Sequence, residues 1–350
     1  MSGRRGVVAV AAIGLLTLAT ACGGSTSGGA ADGAASSAVT STGSGSAPGL
    51  DHWLAYQAMA GGQDGIFLTR PDGSQQHQIL ANLPNEQIHP AWSPDGTELA
   101  FIVASRDSGE VWTAQADGSR PTRASACTGS CLSYDFAAWM PTGRRLLLLR
   151  YDGPTLSGTP VPGSSTLELL DLDTGTRRDV VKSATHQLFS APRVSPDGKS
   201  YCVTVEIGDL GNNPLPGAAI AVGRLSGGPA RTLTTASEFG GYCDWRPTGD
   251  QVLFTTYDLG LFGDMSHASN LYTMGSDGSE LRQLTHFAAG TVRATQPRWK
   301  PDGSGILITR VDGDGTYPHR QMAVIGPDGT ELGWATGAAP LVGTHPTLQP

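Results

Sequence analysis

Short apolar runs recur along this chain at an even spacing. Residues 99–103, 146–149, 201–205, 252–255 and 306–309 are four or five residues long, and each opens a few residues after a proline-bearing turn. Runs of that length bounded by Gly, Pro and Asp read as strands rather than helices. A second set lies between them, at 66–68, 111–113, 167–170, 220–222, 271–272 and 322–325. Each of these precedes a turn: Pro71-Asp72-Gly73, Ala116-Asp117-Gly118, Asp173-Thr174-Gly175, Ser226-Gly227, Ser276-Asp277-Gly278 and Pro327-Asp328-Gly329. Glycine supplies the positive φ that hairpin turns need. The pattern predicts an all-β chain.

The turns before the first set share a phrase. It reads His89-Pro90-Ala91-Trp92-Ser93-Pro94-Asp95-Gly96, then Ala137-Ala138-Trp139-Met140-Pro141-Thr142-Gly143. It returns as Pro192-Arg193-Val194-Ser195-Pro196-Asp197-Gly198, Cys243-Asp244-Trp245-Arg246-Pro247-Thr248-Gly249 and Pro297-Arg298-Trp299-Lys300-Pro301-Asp302-Gly303. The anchoring prolines are 47, 55, 51 and 54 residues apart. A unit of about 50 residues holding four short strands is a propeller blade. The second phrase occurs six times and the first five times, with a truncated sixth copy at His345-Pro346-Thr347-Leu348-Gln349-Pro350. The strand that should follow it is His52-Trp53-Leu54-Ala55-Tyr56-Gln57. The expected architecture is therefore a six-bladed β-propeller of four-stranded blades, with the first blade closed by pairing 344–349 against 52–57. Pairing of the termini leaves only short, protected edges.

The Trp-Ser-Pro-Asp-Gly phrase resembles the WD40-like (PD40) repeat of TolB-like propellers, and the resemblance covers residues 51–350. It implies a role in envelope assembly or translocation alongside partner proteins. As a guide to activity it is weak, because scaffolds, binding proteins and some enzymes share the fold.

Residues 1–22 read as an export signal. Arg4 and Arg5 precede an apolar run over 7–21 that is too short to span a bilayer. The run ends Leu18-Ala19-Thr20-Ala21-Cys22-Gly23, which resembles a bacterial lipoprotein signal with Cys22 as the lipidated residue. Residues 23–50 are almost wholly Gly, Ser, Ala and Thr with one charge, Asp32, and form a flexible tether. The predicted location is the outer face of the bacterial cytoplasmic membrane, held by an N-terminal lipid. The other four cysteines form two pairs. Cys127 and Cys131 share a turn-rich stretch and fit a disulfide in an exported protein, or half of a metal site. Cys202 and Cys243 fall on neighbouring blades, as a second bond or as two buried thiols.

The net charge of −8, with no basic stripe, argues against nucleic-acid binding. No G-x-S-x-G elbow, H-E-x-x-H, phosphate loop or dinucleotide fingerprint is present. No cofactor is expected, and a monomer is. The links from second to third strand vary most in length, and long loops on a rigid scaffold carry binding. They hold Asp209, Asn212, Asp258, Asp264, His267, Asp312, Asp314, Tyr317 and His319. At one inner-strand position the set is His89, Phe136, Ala191, Tyr242, Gln296 and His345. Two residues on it is Ala91, Ala138, Arg193, Asp244, Arg298 and Thr347. His89 and His345 fall on adjacent blades, as a metal or acid–base site or as two satisfied buried histidines. Asp244, between the blades of Arg193 and Arg298, belongs either to an ion-pair network or to an anion site at the channel. The leading expectation is a tethered binding propeller that recognises an envelope protein, peptide or glycan through its long-loop face. The alternative is a carbohydrate-active enzyme with a channel metal site.

Overall fold

The computed structural model describes residues 52–106, 108–153, 155–156, 159–160, 163–207, 217–235, 240–256, 269–288, 292–312, 319–335 and 341–350. They build six antiparallel sheets, each a blade. From the axis outward, blade 1 is Thr344–Leu348, Leu54–Ala60, Gln63–Thr69 and His77–Ile79. Blade 2 is Glu86–Trp92, Glu98–Ala104, Gly109–Gln115 and Thr122–Ser125. Blade 3 is Cys131–Trp139, Arg145–Asp152, Ser165–Asp171 and Arg177–Lys182. Blade 4 is Gln187–Val194, Ser200–Ile207, Gly217–Arg224 and Arg231–Thr232. Blade 5 is Gly240–Trp245, Gln251–Thr256, Leu271–Gly275 and Arg282–Gln283. Blade 6 is Val292–Trp299, Ile306–Asp312, His319–Ile325 and Glu331–Trp334. Each inner strand touches that of the next blade, and blade 6 touches blade 1, so the ring is closed.

The closure joins the two ends of the chain. Leu54 pairs with Leu348, Ala55 with Thr347 and Gln57 with Thr344. Gln349 clamps the join: its backbone N–H donates to the Trp53 carbonyl at 2.9 Å, and its Oε1 accepts the Trp53 N–H at 3.0 Å. Its amide nitrogen donates across to the Gly96 carbonyl of blade 2 at 2.6 Å.

The repeated phrase has a physical reading in these contacts. The Trp92 indole N–H donates to the Thr347 carbonyl at 3.2 Å, that of Trp139 to Ala91 at 3.0 Å, and that of Trp245 to Arg193 at 3.4 Å. These three tryptophans bond the same backbone position of the preceding blade, while their rings fill the wedge between the two sheets; the buried Trp299 indole N–H of the fifth copy makes no such bond. The Ser and Asp of the phrase cap the turn that follows. The Ser93 hydroxyl donates to Asp95 and accepts the Glu98 N–H, and Ser195 does the same with Asp197 and Ser200. The wedges between blades hold most of the core, led by Tyr56, Tyr201, Phe101, Phe254 and the run Leu146, Leu147, Leu148.

Both cysteine pairs are bonded. Cys127–Cys131 closes the link from blade 2 to blade 3, and Cys202–Cys243 ties blade 4 to blade 5. Two disulfides fit a protein exported from the cytoplasm. Two features depart from a plain four-strand repeat. Blade 6 carries a fifth strand, Leu341–Val342, paired to Gln321 and Met322 of its third strand. Its outer strand reaches only Ala323, Val324 and Ile325, so a length of edge was left for a second segment to cover. A two-residue hairpin, Thr155–Leu156 with Thr159–Pro160, stands in the second-to-third link of blade 3.

Candidate functional site

At the axis, side chains from one repeat position pack together as a plug: His89 lies against Phe136 and His345, and His345 against Tyr242. In the inner strands the ladder is broken at that level, between Ile88 and Ala91, Ser190 and Arg193, Gly241 and Asp244, and Thr295 and Arg298. Each break is a β-bulge, which re-aims a side chain. The bulged residue is left-handed in five blades: His89 (φ 54°), Ala191 (48°), Tyr242 (51°), Gln296 (54°) and His345 (52°). A proline follows in four of the five, and a residue without an N–H suits a place where a ladder bond is missing. A non-glycine residue held there costs on the order of 1–3 kcal/mol, and such strain clusters at functional sites. Five strained residues at one level mark the axis as the place to look.

His89 and His345, predicted to be adjacent, meet with ring centroids 4.3 Å apart. His89 stacks flat on Phe136 at 4.0 Å. Its Nδ1 faces the Asp135 carbonyl at 2.8 Å and the Asp135 carboxylate at 3.3 Å. His345 Nε2 lies 2.9 Å from the Gln296 amide nitrogen, which donates to it, and its Nδ1 faces the Thr344 hydroxyl at 3.2 Å. Gln296 Oε1 in turn accepts the Thr309 hydroxyl and the His345 backbone N–H. Burial, with His89 and Arg193 close by, pulls His345 well below the usual histidine value, so it is neutral. Among the described residues, no group of three His, Cys, Asp or Glu side chains is placed to share a metal ion.

The plug divides two unlike mouths. Inner strands run from the long-link face toward the Pro-Asp-Gly turns, so residues before the bulge face the links. On that side a cavity of about 20 Å³ lies between blades 3, 4 and 5, lined by Asp135, Tyr151, Ser190, Thr204, Glu206 and Tyr242. Burial pushes the Glu206 carboxyl up to about 7, partly offset by its bond to Ser190 and reinforced by the charge of Asp135. Tyr242 is pushed up to about 12 by the same burial. Asp64 and Glu86 are raised as well, Asp64 by burial against a bond from Gln57 and Glu86 by burial beside Asp64. On the turn side a second cavity, of about 10 Å³, is lined by His89, Phe136, Arg193, Tyr242, Gln296, Arg298 and His345. Arg298 Nη1 pairs with Asp244 Oδ1 at 3.6 Å, and Asp244 Oδ2 accepts the Trp299 N–H at 2.7 Å. Burial pushes Asp244 up to about 6, against the pull of Arg193 and of the Trp299 and Trp245 N–H groups.

All five channel candidates therefore come together. The two arginines act on Asp244 differently: Arg298 Nη1 makes the ion-pair contact, and Arg193 acts on it through its charge without one. Of the long-link residues, Asp209, Asn212, Asp258, Asp264, His267, Asp314 and Tyr317 lie outside the described residues, as does Cys22. Asp312 is held by Arg310, whose Nε donates to both carboxylate oxygens at 3.0 and 3.1 Å. His319 opens the third strand of blade 6. The Asp135, Tyr151 and Glu206 cluster was not anticipated. Its trace in the sequence is an acid, Glu206, within an otherwise uncharged strand.

No protein-family model and no curated protein sequence matches the chain. Solved structures do match. TolB from Acinetobacter baumannii superposes with a TM-score of 0.59 at 14% identity, covering 85% of this chain and 67% of that one. A putative TolB from Agrobacterium tumefaciens gives 0.59 at 17%, covering 84% and 91%. Oligogalacturonate lyase from Vibrio parahaemolyticus gives 0.53 at 13%, covering 83% and 74%. At such identities the likeness concerns the fold, and the fold of this chain is a TolB-like six-bladed β-propeller.

Proposed function

We propose that this protein is a membrane-tethered, extracytoplasmic binding propeller that recognises an envelope protein, peptide or glycan on its long-link face. The observation that carries the reading is the plugged axis. Among the described residues the two cavities at the axis measure about 10 and 20 Å³, the size of single waters, which supports recognition at the rim rather than inside. The mouth on the link side is polar and acidic, through Asp64, Glu86, Asp135 and Glu206. Some propeller neighbours are enzymes, so the reading as a carbohydrate-active enzyme rests on the His89–His345 contact. Three of the four ring nitrogens already face protein atoms, which favours the binding reading.

Site-specific photocrosslinking in intact cells tests this. Met59, exposed at the link-side end of blade 1, and Asn82, in the link to blade 2, are one pair of probe positions. Asp117, in a turn of the opposite face, is the control. A discrete adduct from Met59 and Asn82 but not from Asp117 is expected; adducts from Asp117 alone refute the assignment of the face. Cys22→Ser is expected to shift the protein from the membrane fraction to the soluble one, and a variant that stays with the membrane removes the lipid tether from the reading.

A further inference from the structure

Among the described residues Arg193 is a buried charge whose hydrogen bonding is incomplete. It sits two residues past the bulge on the inner strand of blade 4, on the turn side of the plug. Its Nη1 donates to the carbonyl of its own neighbour Pro192 at 2.8 Å. Its Nε is sealed from solvent and has no hydrogen-bond partner among the described residues. The guanidinium carbon stands 5.9 Å from the centre of the Phe136 ring, so the group lies over the plug and points at the axis. A buried guanidinium with no carboxylate bonded to it is costly, because the charge of Asp244 offsets its desolvation only in part.

Among the described residues the carboxylates act on it at a distance, Asp244 first, and none makes an ion-pair contact with it. Asp244 is the nearest acid, but Oδ2 is bonded to the Trp299 N–H and Oδ1 faces Arg298. Asp135, Glu206 and Asp64 line or flank the link-side mouth, beyond the His89–Phe136 stack. On Arg193's own side stand Arg298, the amide of Gln296, the Tyr242 phenol and neutral His345. The sum is a pit rich in donors with one positive charge to spare. Desolvation accordingly pulls Arg193 down to about 10, yet it remains a cation at neutral pH.

We infer that the turn-side pit is a binding site for one compact monoanion, a carboxylate or a halide, held by Arg193. The cavity of about 10 Å³ admits a single anionic centre and no larger group, so a carboxylate would enter by one oxygen. Arg298, which lines the cavity, is 17% exposed, and the acid paired with it is Asp244. An oxygen or halide there would give the guanidinium the charge-assisted partner that the fold withholds. This site is on the face opposite the links, so it stands or falls independently of partner binding there.

Crystals grown without halide and soaked in sodium bromide provide the test. A bromide anomalous peak is expected within hydrogen-bonding reach of the Arg193 guanidinium. Competing formate that displaces the peak identifies a carboxylate as an occupant, and formate that fails to displace it identifies a monatomic anion; both outcomes retain the site. In solution, halide line broadening by nuclear magnetic resonance should show affinity at least about ten-fold weaker in Arg193→Gln, the loss of one charge-assisted bond. Bromide found only at surface lysines and arginines (an adventitious ion only), or an unchanged peak in Arg193→Gln, overturns the assignment. The soak of the unmodified protein decides the matter even if the variant folds poorly.

Discussion

Removal of residues 344–350 is expected to abolish cooperative folding. The deletion takes away the inner strand of blade 1 and with it the pairs Leu54–Leu348, Ala55–Thr347 and Gln57–Thr344. It strips the cover from Leu54 and Tyr56, which are fully buried and pack with Leu307, Met322 and Leu348. It also leaves the buried Trp92 indole N–H without the Thr347 carbonyl, at about 1–3 kcal/mol for that group alone. Gln349 can no longer hold Trp53 and Gly96 together. A domain's whole stability is roughly 5–15 kcal/mol, and these losses together fall in that range. Thermal unfolding followed by circular dichroism should show no sharp transition, or a midpoint lower by more than about 10 °C, taking roughly 2–4 °C per kcal/mol. A truncated protein melting within about 2 °C of the full chain would mean that the ring does not depend on this closure.

The same closure shows why the fold could be read from the sequence. The proline phrase repeats because each copy does one local job and one job between blades. Ser93 and Asp95 cap a turn, and Trp92 reaches back to the preceding blade. His345-Pro346 reads as the sixth copy because the bulge takes the same left-handed residue before the same proline as at His89-Pro90. Residue spacing put His89 and His345 at equivalent positions on adjacent blades, and the packing of neighbouring blades allowed Cys202 and Cys243 to meet, as a bond or as two thiols; the structure brings both pairs together and bonds the second. What each histidine bonds was not legible. The Asp135 carbonyl and the Gln296 amide come into reach only through the bulge; the recurring proline marks where the bulge falls, but not which atoms it brings together. Glu206 was hidden for a different reason. Its environment is assembled from blades 3, 4 and 5 together, and no single repeat contains it. The fifth strand of blade 6 fills an edge left by a short neighbour, which no motif announces.

Glu206→Gln should stabilise the protein at alkaline pH and do little at acid pH. In the folded chain the carboxyl titrates near 7 rather than at its ordinary 4.5, because burial disfavours the anion and Asp135 repels it. The folded state therefore holds a proton that the unfolded state has released between those two values. Stability falls as pH rises through that window and stays low above it. The shift corresponds to about 3 kcal/mol at 1.36 kcal/mol per unit. Glutamine keeps the size and the hydrogen-bonding capacity toward Ser190 and has no charge to desolvate. His345 works in the opposite sense: its folded-state value is depressed, so protonation of the unfolded chain costs stability as pH falls below its ordinary 6.5. Asp244, raised to about 6, slopes in the same direction as Glu206 but ends lower. Both contributions are common to the two proteins and cancel in the difference. Paired urea melts at pH 4.5 and pH 8 should give a difference near zero at the lower value. At the higher one the variant should be more stable by about 3 kcal/mol, the desolvation penalty that its amide no longer bears. A difference that does not change between the two pH values would mean that the Glu206 carboxyl is not raised in the folded protein.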